Sequence, residues 1–301
     1  MFIDCISEYK KVLDGRKLSN ASVLLDEFDD KFKITKQRDG IYPAIITISG
    51  FCTEDLDNRI RWQTYVLNKY PDREWFHVEW NAEKWPFGKK EMTKFPIEPE
   101  ENRRQKKSPI LVTALLSMIP YGRTVLAAKA IVNNFWHRAV RNSRIAGRML
   151  AMVLDACPRK NFILLGHSLG ARIIYNCLEE LNDLNSEKKI LEAHLFGGAV
   201  GNSPEKWLKV SEKVMGEIHN YHSKHDMVLR LAYSISMISF RPIGLTQISC
   251  TGVVNNDWSY KVFGHCEYFP VLRRAHRLSK KEALEKAKKA EREAQHKRFK
   301  Q

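Results

Sequence analysis

The sequence predicts an α/β fold: a mainly parallel sheet with helices on both faces and an inserted lid. Three observations predict it. Apolar runs of strand length alternate with stretches of helical periodicity along most of the 301 residues. Several of those runs, such as residues 43–49 (PAIITIS), rich in isoleucine, and 162–165 (FILL), are predominantly apolar, as strands covered on both faces are. The third observation is residues 161–180, NFILLGHSLGARIIYNCLEE, which read as a strand, a tight turn and a helix without a gap.

That last stretch organises the chain. Gly166-His167-Ser168-Leu169-Gly170 has the G-x-S-x-G spacing. After it Leu169, Ile173, Ile174, Cys177, Leu178 and Leu181 can share one helical face. A strand, G-x-S-x-G and a helix in that order make the nucleophile elbow of an α/β-hydrolase. Side chains two residues either side of the serine would collide across so sharp a turn, so Gly166 and Gly170 are required there. The helix that follows aims its N-terminal amides, Leu169 first, at a developing oxyanion. The alternative is an ordinary βα turn whose serine caps the helix.

Each element has its own signal. Residues 1–40 read as a peripheral segment, with residues 26–39 dense in alternating charge and packed on the domain edge. Residues 43–49 are a strand, and Gly50-Phe51-Cys52-Thr53 is the loop after it. In this fold such a loop supplies the second oxyanion donor, here the Phe51 amide, with Cys52 as its neighbouring alternative. Residues 54–70 read as a helix and 74–80 (EWFHVEW) as an alternating strand. Residues 81–130 form a lid-like insertion, whose apolar residues 110–119 suit either an acyl channel or plain core. Residues 131–156 form a long helix ending before Pro158. Residues 190–196 are the strand after the elbow helix, followed by a glycine-rich loop without phosphate-cradle spacing. Ser203 caps a helix over residues 203–214 with Pro204 in its first turn. Residues 217–223 and 245–254 read as the last two strands. Residues 273–301 form a basic helical tail.

Serine alone is too weakly acidic to attack a carbonyl, so a base and an acid must reach it. Asp226 stands just past the strand at residues 217–223, and His265 follows a glycine after the last strand. The resulting order Ser168, Asp226, His265 is that of the α/β-hydrolases. Asp257 is the rival acid. Among the ten histidines, His167 adjoins the nucleophile but must point elsewhere across the elbow. His219, His222 and His225 alternate faces on a strand and do not converge as ligands, so neither a metal site nor a cofactor is expected.

Composition bounds the rest. With 44% hydrophobic and 28% charged residues the chain is that of a globular protein with a substantial core. The net charge is +15, and more than half of it lies in residues 273–301, with twelve Lys/Arg against four Asp/Glu. Such a tail reads as a solvated helix or as a contact with anionic membrane; nucleic-acid motifs are missing. Six cysteines without C-x-x-C spacing suit reduced thiols. No signal peptide or transmembrane run is evident, so a cytoplasmic protein is expected, able to touch membranes peripherally.

Four stretches carry a family resemblance: NNFWHRAVRNSRIAGRML, FILLGHSLGARIIYNCLEEL, NYHSKHDMVLRLAY and GHCEYF. Together they resemble the α/β-hydrolase domain of unknown function found in eukaryotic transmembrane-and-coiled-coil-domain proteins and their microbial relatives. The resemblance covers residues 43–269, apart from much of 81–130. It implies the triad Ser168, Asp226 and His265, an oxyanion loop at ISGFCT, and lipase or esterase activity. Eukaryotic members carry membrane segments that this sequence lacks. The expected function is a serine hydrolase of carboxylic esters, lipids among them. The alternative is a non-catalytic membrane- or protein-interaction module on the same scaffold.

Overall fold

The computed structural model describes residues 32–50, 58–80, 125–158, 161–230 and 241–273. Strands β1 (Lys33–Arg38), β2 (Ile41–Ile48), β3 (Arg73–Glu79), β4 (Phe162–His167), β5 (Ile190–Phe196), β6 (Ile218–His222) and β7 (Val253–Asp257) alternate with helices. These are α1 (Asn58–Lys69), α2 (Val125–Ala156), α3 (Leu169–Asp183) and α4 (Pro204–Ser211). The strands form one sheet in the order β1-β3-β2-β4-β5-β6-β7. Every neighbouring pair is parallel except β1 with β3.

Side-chain alternation explains why the strands read as unbroken apolar runs. Ala44, Ile46 and Ile48 of β2 and Phe162 and Leu164 of β4 pack on the side covered by α2, α3 and α4. Ile45, Ile163 and Leu165 pack on the other side, beneath Trp62 and Val66 of α1 and the helical turn at Tyr268 and Phe269. Each of these residues therefore faces a core, and period-2 polarity disappears. All six residues assigned to the inner face of α3 are buried.

Three differences from the sequence reading have local causes. Residues 33–38 (KITKQR) form β1, a strand at the sheet edge. Its alternating charge is what an edge strand needs, and that hid it. Helix α2 begins at Val125, inside the stretch assigned to the lid. The last strand is Val253–Asp257, not residues 245–254. Residues 242–246 instead make turns, with Leu245 N–H bonded to Pro242 O and Thr246 N–H to Ile243 O. The remainder of the lid, the tail beyond residue 273 and residues 1–31 lie outside the described residues.

The sheet is that of an α/β-hydrolase, with β4 central and followed by the elbow. The C-terminal ends of β2, β4, β5 and β6 gather at one rim, where ligands of open parallel sheets bind.

Candidate active site

Ser168 occupies the turn between β4 and α3 with φ 58° and ψ −120°, a conformation unfavourable for any residue but glycine. Its backbone is held on three sides. Ser168 N–H donates to Phe196 O at 3.0 Å, and Ser168 O accepts from Ala171 N–H at 3.2 Å and Ala199 N–H at 3.0 Å. A Cβ on Gly170 would fall on the Ile48 carbonyl, and one on Gly166 would come within 2.7 Å of Ala171 N. Gly170 is therefore needed for the elbow to pack against β2, and Gly166 for the start of α3 to fold back over β4. A Cβ on Gly50, at the end of β2, would stand 2.6 Å from Ser168 Cβ. That contact puts the start of the predicted oxyanion loop beside the serine. Phe51 and Cys52 lie outside the described residues.

Asp226 follows β6 and is fully buried. Its Oδ1 accepts from Leu229 N–H at 3.1 Å. Its Oδ2 lies 2.6 Å from Nδ1 of His265. His265 Nε2 in turn lies 2.7 Å from Ser168 Oγ. A carboxylate against Nδ1 fixes the proton on that nitrogen, so the Nε2 lone pair is left to accept the serine proton. The rival Asp257 stands at the end of β7, where its carboxylate accepts from Ser259 N–H at 2.8 Å. The Ser259 hydroxyl, and after it that backbone bond, lowers its pKa. The three side chains from distant parts of the sequence thus meet, with Asp226 and not Asp257 beside the imidazole.

The loop that carries His265 is fastened at several points. Ser223 Oγ–H donates to Val262 O at 2.6 Å, tying the loop to the end of β6. Phe263 N–H donates to Glu267 Oε2 at 2.8 Å and Glu267 N–H to Gly264 O at 3.0 Å. The remaining fastening is His167, whose role the sequence did not disclose. Its Nε2 lies 2.8 Å from the His265 carbonyl oxygen, and the two rings are 4.7 Å apart. Burial, reinforced by the neighbouring imidazole of His265, holds its pKa well below the ordinary value. His167 is therefore neutral, with its proton on Nε2 to donate to that carbonyl.

Leu169 is the first residue of α3, so its amide has no acceptor within the helix. It directly follows Ser168 in the chain. A hydroxyl with an adjacent base, a buried acid behind that base and a helix N-terminus can together perform acyl transfer. Cys157, Cys177, Cys250 and Cys266 carry free thiols. No helix among the described residues is long and apolar enough to cross a membrane.

A family model described as "Protein of unknown function (DUF726)" matches residues 11–277. The chain is similar to the transmembrane and coiled-coil domain-containing protein STS1 of Oryza sativa subsp. japonica, with 27% identity over 85% of this chain and 39% of that protein. It is also similar to the probable lipase MIL1 of Saccharomyces cerevisiae, with 26% identity over 50% of this chain and 15% of that one. An uncharacterized membrane protein of Schizosaccharomyces pombe, C6F6.13c, is 33% identical over 47% of this chain and 19% of its own length. The chain thus spans less than half the length of these curated relatives. Among solved structures it is similar to mouse alpha/beta hydrolase domain-containing protein 10, at 10% identity and a TM-score of 0.37, covering 85% of this chain and 94% of that one. Thermogutta terrifontis esterase 2 is similar at 12% identity and a TM-score of 0.34, covering 84% and 88% of the two chains.

Proposed function

The chain belongs to the DUF726 family, and from that premise we propose that it is a serine hydrolase of carboxylic esters, lipid esters among them. The observation that carries the reading is His265, which bridges Ser168 Oγ at 2.7 Å and Asp226 Oδ2 at 2.6 Å. The name of the yeast relative, a probable lipase, supports the choice of substrate class.

In this mechanism Ser168 Oγ attacks the ester carbonyl carbon while His265 Nε2 takes its proton. Asp226 keeps the imidazole in the required tautomer and stabilises its cation. The backbone amides of Leu169 and Phe51 receive the oxyanion. Collapse of the tetrahedral intermediate breaks the bond to the alcohol, which leaves with the proton from His265. An acyl group remains on Ser168. Water then gives its proton to His265, attacks the acyl carbon, and the acid departs as the proton returns to Ser168.

Ser168→Ala should abolish labelling by a fluorophosphonate and lower turnover of p-nitrophenyl esters by about six orders of magnitude if the three groups act as a unit. Unlabelled native protein, or an S168A variant that hydrolyses esters as well as the native chain, would overturn the reading.

The basic tail and the relatives named as membrane proteins support a peripheral contact with anionic lipid. Deleting residues 279–301 should release the chain from vesicles containing phosphatidylserine and leave esterase turnover in place. Equal binding by the shortened chain would dismiss the contact.

A further inference from the structure

Below the rim that holds Ser168, two neighbouring strands each present a glutamate and a histidine two residues apart. Glu192 and His194 lie on β5; Glu217 immediately precedes β6, and His219 lies on it. The strand period puts both members of each pair on one face. The parallel register then sets His194 directly opposite His219. The face is the one under α1, since the His194 ring stacks with Phe196, which packs on Trp62.

Three of the four side chains, Glu192, His194 and His219, converge. The imidazoles of His194 and His219 stack with centroids 4.7 Å apart and planes 8° from parallel. His194 Nε2 lies 3.1 Å from Glu192 Oε2, and His219 Nε2 lies 3.9 Å from Glu217 Oε2. One ligand atom from each of Glu192, His194 and His219 lies within 4.8 Å of the others. A lone pair on Nε2 and a carboxylate oxygen at 3.1 Å repel unless a proton or a cation lies between them. His194 Nδ1 lies 3.1 Å from Tyr221 Oη. A proton on Nδ1 can donate to that hydroxyl, which turns the Nε2 lone pair toward Glu192 and His219.

We propose that Glu192, His194 and His219 bind a divalent transition cation of the zinc type, with the Glu217 carboxylate at the rim of the site. Two imidazoles and one carboxylate are the donor set of zinc sites that keep a fourth position for water. Donors around such an ion stand about 3.3 Å apart, closer than the widest separation here. The Glu192 and His219 side chains, 39% and 22% exposed, have room to rotate inward. His194, 2% exposed, is the fixed point. Tyr221 supplies the outer hydrogen bond that orients a ligating imidazole. The opposing charge is Lys69 of α1, within electrostatic reach of both Glu192 and His219, and its ammonium competes for the same carboxylate.

His219 stands three residues before the end of β6, roughly 10 Å along the strand. The cation would not touch a substrate at Ser168. It would clamp β5 to β6, the pair whose ends lead to Gly197 and to Asp226, and would stabilise the folded chain by binding it.

The test uses the full chain stripped with a chelator. Titration with Zn²⁺ in a calorimeter should give one equivalent bound and a higher Tm. Co²⁺ should give the visible absorption of a low-coordinate nitrogen and oxygen site. His219→Asn and Glu192→Gln should each weaken Zn²⁺ binding at least tenfold and remove the Co²⁺ band, whereas Ser168→Ala should bind as the native chain does. Absence of saturable binding of both ions, or native affinity in either of the two site variants, would overturn the proposal.

Discussion

His167 is fixed between the elbow and the loop of His265, and its chemistry lies in what it holds. A neutral imidazole that donates from Nε2 to the His265 carbonyl sets the position of His265 relative to Ser168. Misplacing a reacting group by about 1 Å can cost on the order of a hundredfold in rate. Under the proposed function, His167→Leu should lower kcat by roughly ten- to a hundredfold with little change in KM. His167→Gln, which keeps an N–H at similar reach, should recover most of that loss. Equal kcat in the leucine and glutamine variants would reduce His167 to a packing residue. Ser168, Asp226 and His265 were legible in the sequence because each stands just past an element with its own signal. The link from His167 to His265 was not, because it joins residues 98 positions apart through a backbone oxygen. A pattern of side-chain types does not encode a contact with a carbonyl.

At the level of elements, the long helix α2 stops at Ala156 and its final carbonyls need donors. Lys189, which directly precedes β5, supplies them. Its buried ammonium donates to Leu154 O at 3.0 Å, Asp155 O at 2.7 Å and Cys157 O at 2.6 Å. A cation at a helix C-terminus also meets the favourable end of the helix dipole. Charge-assisted bonds contribute about 1.5–3 kcal/mol each, and their loss is not additive. Lys189→Met keeps the buried stem and removes the donors, so it should destabilise the chain by about 3 kcal/mol, read from the urea midpoint. An unchanged midpoint would mean that water serves those carbonyls equally well. The end of α2 was legible from Pro158, but the capping lysine was not, since it comes from a different element. The buried strands β2 and β4 were readable for the converse reason: double-sided burial writes itself as an apolar run. Strand β1 is polar because it is an edge, and β7 is short and half-exposed, so neither left that signature. The paired Glu-x-His of β5 and β6 was present in the sequence, yet it gains meaning only through the register between the strands.

For the molecule as a whole, the buried histidines make stability a function of pH. Desolvation is the leading cause in each case. It holds His167 well below the ordinary value, lowers His194 to about 4, and lowers the less buried His219 and His222. In the unfolded chain these groups titrate near 6.5. Below that pH the unfolded state binds protons that the folded state refuses, so acid favours unfolding. The loss begins as pH falls through about 6.5, and the share from His194 is complete near pH 4. A shift of that size corresponds to roughly 3 kcal/mol. Glu192 acts in the same direction, because its hydrogen bond with His194 lowers its own pKa in the folded chain. Self-repulsion of a chain with net charge +15 also grows in acid, so the slope must be apportioned by a variant. With a chelator present, the urea midpoint of the native chain should fall steadily from pH 7 to pH 4.5. The same measurement on His194→Asn should give a visibly flatter fall over that range, since the titration of His194 has been removed while the net charge of the folded state is almost the same. Parallel slopes in the two proteins would mean that His194 takes up its proton inside the folded sheet without penalty, and the acid sensitivity would then rest on the other titrating groups and on charge repulsion.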